Sequence, residues 1–231
     1  MRNIVITGVS SGIGFHLANS LTLNNKVYGL SRKKPKIKND NFIFLKTDLR
    51  NLKSLTNSLK KIKKVDVLIN NAGISKSNKK NFLEKFKDII NINLNIPYVI
   101  SENLKKKLKK SKNASIINIC SLGSHLGFSK NPGYVASKGG LYTLTKALSI
   151  DYNQNKIRVN SVTPGYIKTK MTSQSFLNKR KSNLRINKTI LKRWGQPEDI
   201  LGIIEYLISE KSSYVTGQDF KVDGGYTAKG L

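Results

Sequence analysis

A chain of 231 residues, 38% hydrophobic and 24% charged, with 17 Gly against 5 Pro, carries apolar surface for one large domain and excludes the fibrous and disordered classes. One cysteine, Cys120, and two distant histidines, His16 and His125, exclude an internal disulfide and a Cys-rich zinc or iron–sulfur centre, and no metal site is expected. The net charge of +29 raises nucleic acid, an anionic membrane or an acidic protein as partner, yet 35 Lys and 25 Asn against 7 Arg give the same charge by compositional drift, Arg being the better bidentate phosphate ligand.

Met1-Arg2-Asn3 leads directly into an apolar run at 4–6, read as a short buried strand, which leaves no room for a signal peptide's apolar segment. A Gly/Ser turn covers 8–14, and a helix follows over about 13–23, with Phe15, Leu17, Ala18 and Leu21 apolar. Residues 27–30 and 42–45 read as the second and third strands, separated by a polar, Lys-rich loop at 32–41. Leu52, Leu55, Leu59 and Ile62 recur at spacings of three and four, so they share a helix face. Residues 65–69 form the fourth strand, ending at Asn70-Asn71-Ala72-Gly73. A long helical region at 82–109 is bent or divided by Pro97. Then come the fifth strand at 115–120, a helix at 134–152 and the sixth strand at 157–162, ended by Pro164 and Gly165. A Lys/Arg-rich segment runs to Trp194, helical in part. Residues 197–209 begin like a helix, with Pro first and Glu198 and Asp199 in the first turn, and 218–222 is a last short strand.

Strand and helix alternate, and the strands lack a polar face. That predicts an α/β protein, a single Rossmann-type doubly wound parallel sheet of about seven strands with helices on both faces, over one domain at 1–231. No window approaches the roughly 18 apolar residues of a membrane span, so a soluble cytoplasmic protein is expected. Ligands of such sheets sit beyond the carboxyl ends of the strands, which draws attention to the loops there.

The first of these loops, Thr7-Gly8-Val9-Ser10-Ser11-Gly12-Ile13-Gly14, follows a strand and opens a helix. Its glycines permit a tight turn and let a pyrophosphate approach helix amides, although a plain structural turn reads the same way. With no Gly-Lys-Ser/Thr, a triphosphate P-loop is disfavoured. After the second strand stands Ser31-Arg32, where an acidic residue would bind an adenosine ribose and a basic one neutralises a 2′-phosphate; Arg32 therefore points to NADP(H). Asp48 can meet an adenine amino group or cap the next helix, and the two uses are compatible. Tyr134 and Lys138 are four apart on a helix and share a face, so a buried ammonium there would lower the phenol's pKa and make it a general acid or base. Ser121, closing the fifth strand, offers a hydroxyl to the same substrate oxygen. Asn93 offers an amide for a proton-relay water.

Together, Thr7-Gly8-x-x-x-Gly12-Ile13-Gly14, Asp48, Asn70-Asn71-Ala72-Gly73, Asn93, Ser121, Tyr134-x-x-x-Lys138 and Pro164-Gly165 resemble the signature of the short-chain dehydrogenase/reductase family, in order and in spacing, from Ile4 to Tyr226. The resemblance implies Tyr134 as proton donor in reduction, Lys138 as its partner and nicotinamide-ribose ligand, Ser121 as the group that polarises the carbonyl, and Asn93 as support for helix geometry and the relay. It implies a cofactor site of Gly8, Ser10, Ser11, Gly12, Ile13, Gly14, Arg32, Asp48, Leu49, Asn71, Ala72, Gly73, Pro164, Gly165, Ile167 and Thr169, together with Tyr134 and Lys138. The elements at 193–200, 213–218 and 222–225 resemble the branch that holds 3-oxoacyl-[acyl-carrier-protein] reductases and their sugar- and polyol-oxidising relatives.

The expectation is an NADP(H)-dependent reduction of a ketone by hydride transfer, on a small-molecule or carrier-protein-bound substrate, foremost a 3-oxoacyl thioester. A sugar, nucleotide-sugar or polyol dehydrogenase is the alternative. A homotetramer is implied, with the 82–109 region and the Tyr/Lys helix at one interface, and 170–192 as a mobile, unusually basic lid. The Lys runs at 33–38, 60–64, 76–80 and 105–112 come with no nucleic-acid motif and no aromatic interleaving, so a nucleic-acid-binding protein on this fold is the remote alternative.

Overall fold

Residues 1–229 are described by a computed structural model; the last two positions of the expected 1–231 domain lie outside them. Seven strands, β1 (Asn3–Thr7), β2 (Lys26–Ser31), β3 (Phe42–Lys46), β4 (Val67–Asn70), β5 (Ala114–Ile119), β6 (Ile157–Pro164) and β7 (Asp219–Val222), pair in parallel in the order β3-β2-β1-β4-β5-β6-β7. The chain winds outward from β1 to β3, returns to β4 on the other side of β1, and then winds out to β7. The reversal between β1 and β4 opens a crevice at their carboxyl ends.

Successive side chains of a strand point to opposite faces, and here both faces are covered. Ile4, Ile6, Val67, Ile69 and Ile117 pack with α1 (Gly12–Leu21) and α8 (Leu201–Ile208) through Leu17, Leu21, Ile204 and Leu207. Val5, Leu68 and Ile116 face the other way, toward Leu55 and Leu59 of α2 (Leu52–Lys60), Ile100 and Leu104 of α4 (Ile96–Leu108) and Leu148 of α5 (Pro132–Asp151). Two buried layers explain why the strands read as unbroken apolar runs. Among the described residues no helix is long and apolar enough to cross a membrane.

Several boundaries differ from the sequence reading. β4 begins at Val67, because Asp66 accepts from the Asn3 backbone N–H (2.8 Å), the Asn3 amide (2.9 Å) and Ser111 Oγ (2.7 Å) and so anchors the chain just before the strand. β6 continues through Pro164, which stands in register with Val222 of β7. α5 starts at Pro132, two residues before Tyr134, using the proline at its first turn. The 82–109 region is divided into α3 (Phe82–Ile90), one π-helical turn (Asn91–Asn95) and α4. Pro97 has no N–H for the Asn93 carbonyl and its ring would crowd that carbonyl; the wider turn just before it relieves this. Within 170–192 lie α6 (Ser173–Leu177) and α7 (Lys179–Lys188).

Candidate active site

The turn after β1 is held by its neighbour strand. Thr7 Oγ1 accepts the Asn71 and Ala72 backbone N–H groups (3.1 and 3.0 Å), and Asn71 Nδ2 donates to the Thr7 carbonyl (2.9 Å). Gly8 and Gly12 have φ of +77° and +61°, where an L side chain is strained, and a Cβ on Gly8 would meet the Ala72 backbone at 2.8 Å. α1 starts at Gly12, and its cap residue Ser11 makes no side-chain capping bond, so the amides of Gly12, Ile13 and Gly14 border the crevice uncapped. Arg32 and Lys33 follow β2 along the same wall. Asp48 does not cap α2: Asn51 does, accepting from Ser54 N at 2.9 Å. The Asp48 carboxylate instead accepts its own loop's Arg50 N–H (3.0 Å) and borders the crevice beside Leu49.

At the other end Ser121 follows β5, while Tyr134 and Lys138 rise from the first two turns of α5. Burial pushes the Tyr134 phenol up from its ordinary pKa, and the neighbouring Ser121 hydroxyl works against that rise. Lys138 is 4% exposed and donates to the Ile119 carbonyl at 2.7 Å; burial lowers its pKa. The direction at the phenol is thus upward, opposite to the lowering expected from the ammonium, and burial is its largest cause. Gly73 lies between the groups: a Cβ there would be 3.3 Å from Asn93 Oδ1 and 3.6 Å from Lys138 Nζ.

Asn93 is fully buried in the π-helical turn. Its Oδ1 accepts Ile74 N–H (2.8 Å), and its Nδ2 donates to the Ile74 carbonyl (2.9 Å) and to Ser137 Oγ (3.0 Å). Both amide hydrogens are committed, so the side chain braces the loop after β4 against α5 rather than offering a donor to a water.

One cleft of about 970 Å³ is lined by every candidate catalytic and cofactor residue named from the sequence except Asn93. Asp48 is the one acid among its lining residues. Uncapped helix amides, Arg32 and Lys33, the hydroxyls of Ser10, Ser11 and Ser31, and the Asp48 acceptor form a donor set suited to a dinucleotide with a pyrophosphate and a further phosphate. His125 is not part of this cleft; its Nε2 meets Asp219 Oδ2 at 2.9 Å.

Sequence reading missed three features. Asn70 Nδ2 donates to Asn118 Oδ1, and Asn118 Nδ2 to Thr145 Oγ1, each at 2.9 Å, a buried chain that ties β4 and β5 to α5 beneath the site. The signal was a polar residue inside each apolar strand. Arg50 bonds Asp88 through two nitrogens (2.8 and 3.1 Å), joining the loop after β3 to α3. Phe176 of α6, Tyr166, Trp194 and Tyr226 form edge-on aromatic pairs.

The family model described as Enoyl-(Acyl carrier protein) reductase matches residues 8–227. The 3-oxoacyl-[acyl-carrier-protein] reductase FabG of Rickettsia felis is 35% identical, over 97% of this chain and 96% of its own. A 4-hydroxyisoleucine dehydrogenase mutant complexed with NADH and succinate superposes with a TM-score of 0.90 and 32% identity, over the full length of both chains. A Beutenbergia cavernae protein described as an NAD(P)-dependent gluconate 5-dehydrogenase, with bound NADP, gives a TM-score of 0.89 and 27% identity, over 99% of this chain and 97% of that one.

Proposed function

The chain belongs to the short-chain dehydrogenase/reductase family of oxidoreductases, and from that premise we propose that it is an NADP(H)-dependent reductase turning a ketone into a secondary alcohol, with a 3-oxoacyl thioester on acyl carrier protein as substrate. The observation that carries this reading is one cleft with Ser121, Tyr134 and Lys138 at one end and Arg32 at the other.

NADPH, when bound, supplies the hydride. The uncapped amides at Gly12–Gly14 would take its pyrophosphate, with Gly8, Ser10 and Ser11 shaping the turn. Arg32 would take the 2′-phosphate, and Asp48 with Leu49 the adenine. Asn71, Ala72, Gly73, Pro164, Gly165, Ile167 and Thr169 would border the nicotinamide half. Negative charge grows on the ketone oxygen during reduction; Ser121 donates to it and Tyr134 then gives up its proton. A phenol held protonated by burial suits that direction. Lys138 would hold the ribose and carry the relay that returns a proton to Tyr134, while Asn93 fixes the loop beside it.

The reading extends to the whole protein. It takes 1–231 as one domain with 170–192 as the lid, in a cytoplasmic homotetramer. Phe82, Leu83, Phe86 and Tyr98 expose apolar surface on α3 and α4, the helices assigned to an interface. A sugar-acid dehydrogenase is the second reading, supported by the likeness to the gluconate 5-dehydrogenase.

The test is consumption of NADPH, and separately of NADH, by purified protein with a 3-oxoacyl-carrier-protein or with 5-ketogluconate. Fast loss of NADPH with the first substrate and slow loss of NADH supports the proposal. Preference for NADH overturns the role of Arg32. Turnover of the keto acid alone moves the protein to the second reading.

A further inference from the structure

Drift toward Lys explains a basic surface, but it does not explain where six of the seven arginines stand; the seventh, Arg180, is exposed on α7. Arg50 and Arg193 bond the carboxylates of Asp88 and Asp199. Arg2 bonds the Asn113 carbonyl, and Arg158 bonds the Val215 and Leu207 carbonyls and the Asn113 amide oxygen. Arg32 and Arg185 both line the cleft, and neither has a carboxylate partner among the described residues.

Arg185, on α7, is built into the wall rather than loose on it. Its guanidinium carbon lies 4.5 Å from the ring centre of Tyr166 and 5.8 Å from that of Trp194. Trp194 is itself fixed, its Nε1 donating to Ser182 Oγ at 2.8 Å. Among the described residues the one hydrogen bond of the guanidinium is Nη1 to the Lys181 carbonyl (3.2 Å), and Nε is buried with no partner. Stacking holds the plane of a guanidinium and leaves its edge donors free for a bidentate acceptor. Lys170 and Lys181 line the cleft as well, and its one acid, Asp48, follows β3 at the far edge of the sheet. Tyr166, over which the guanidinium lies, lines the cleft together with Ser121 and Tyr134.

We propose that Arg185 binds an anionic oxyacid group of the ketone substrate, a carboxylate or a phosphate, and so selects charged over neutral ketones. This rests on the reading of the cleft as a ketone-reducing site. The group can come from a small keto acid or from the phosphodiester of a carrier protein's prosthetic arm.

Two measurements test it. The first compares kcat/KM for 3-oxoacyl-carrier-protein, for 5-ketogluconate and for the neutral 3-oxoacyl N-acetylcysteamine thioester, in the wild type, Arg185→Met and Arg185→Lys. Loss of a charged hydrogen bond predicts a fall of about tenfold or more in Arg185→Met for one anionic substrate beyond any fall on the neutral thioester, with Arg185→Lys between. The anionic substrate that shows it identifies the source. Equal falls on charged and neutral substrates mean that Arg185 merely holds the lid, and overturn the proposal. The second needs no turnover. Trp194 is the single tryptophan, so its fluorescence is titrated with succinate, methyl phosphate and neutral dimethyl succinate in the NADPH-loaded protein. A saturable change with an anion, absent with the neutral ester and weakened about tenfold in Arg185→Met, is expected. No change with either anion, or the same change in Arg185→Met, overturns the proposal. Failure of every ketone to react, with the titration intact, would instead sink the reductase reading and leave the anion site standing.

Discussion

The Nδ2 atom of Asn71 occupies the space that a methyl group on Gly14 would need. The same nitrogen donates to the carbonyls of Thr7 (2.9 Å) and Gly8 (3.3 Å), so the loop after β4 and the first turn of α1 fit together only because residue 14 has no side chain.

Gly14→Ala should therefore damage both the fold and the cofactor turn. A Cβ would press on Asn71 Nδ2 and come within 2.5 Å of the Gly8 carbonyl. Overpacking of this kind costs about 1–3 kcal/mol, roughly 2–12 °C in Tm at about 2–4 °C per kcal/mol. Asn71→Ala removes one of the two clashing partners, so the double variant should lose less than the sum of the single losses. Thermal melts of the three variants check this; additive losses would mean that the two residues do not compete for the same space.

Arg32→Ser tests the cofactor preference. A hydrogen bond to a charged group is worth about 1.5–3 kcal/mol, so NADPH should bind about 10–100-fold more weakly. NADH lacks the 2′-phosphate and should change by less than about threefold. Fluorescence titration of both cofactors reads the difference, and an equal loss for each removes Arg32 from the phosphate site.

The sheet was legible because seven short apolar runs with turn residues between them admit little but a doubly wound architecture. The cleft was legible for a related reason: the glycines, Asp48, Ser121 and the Tyr134/Lys138 pair fall at strand ends, where this architecture gathers its loops. What stayed hidden depends on contacts between distant segments. Nothing local joins Arg50 to Asp88, 38 positions away, or Asn70 to Asn118. The use of Asn93 as a brace rather than a donor follows from the Ile74 loop folding back on it. The reversed shift at Tyr134 follows from burial, which spacing does not reveal.

The Arg50–Asp88 tie predicts an acid-sensitive contribution. The Arg50 guanidinium holds the Asp88 carboxyl below the usual carboxylate range, and Asp88 in turn raises Arg50. A carboxylate whose folded pKa is depressed stabilises the fold above its unfolded value of about 3.9. That stabilisation disappears as pH falls below this value and through the folded one. Arg50 is 35% exposed, so screening keeps the pair near 1 kcal/mol. Asp88→Asn should lower Tm by about 2–4 °C near neutral pH, and the gap from the wild type should close as pH drops below about 4. A gap of the same size at acid pH would show that charge is not its source.

Tyr134 carries the reaction in this account, and its burial fixes the expected pH behaviour. A phenol raised above its ordinary pKa of about 10 keeps its proton throughout the neutral range. Reduction needs that proton, so kcat/KM for the ketone at saturating NADPH should be flat between about pH 6 and 8 and fall only on the alkaline side. Oxidation of the alcohol needs the phenolate, so its rate should climb with pH over the same interval. Tyr134→Phe removes the proton but keeps the ring beside Gly123, where a Cβ would meet it at 3.4 Å. Turnover should fall about 10²–10⁴-fold, while NADPH affinity, set mainly at the Arg32 end and the glycine turn, should move by less than about threefold. A reduction rate that rises with pH through neutrality, or near-normal turnover in folded Tyr134→Phe protein, would remove the phenol from the proton-transfer step and leave Ser121 to carry it alone.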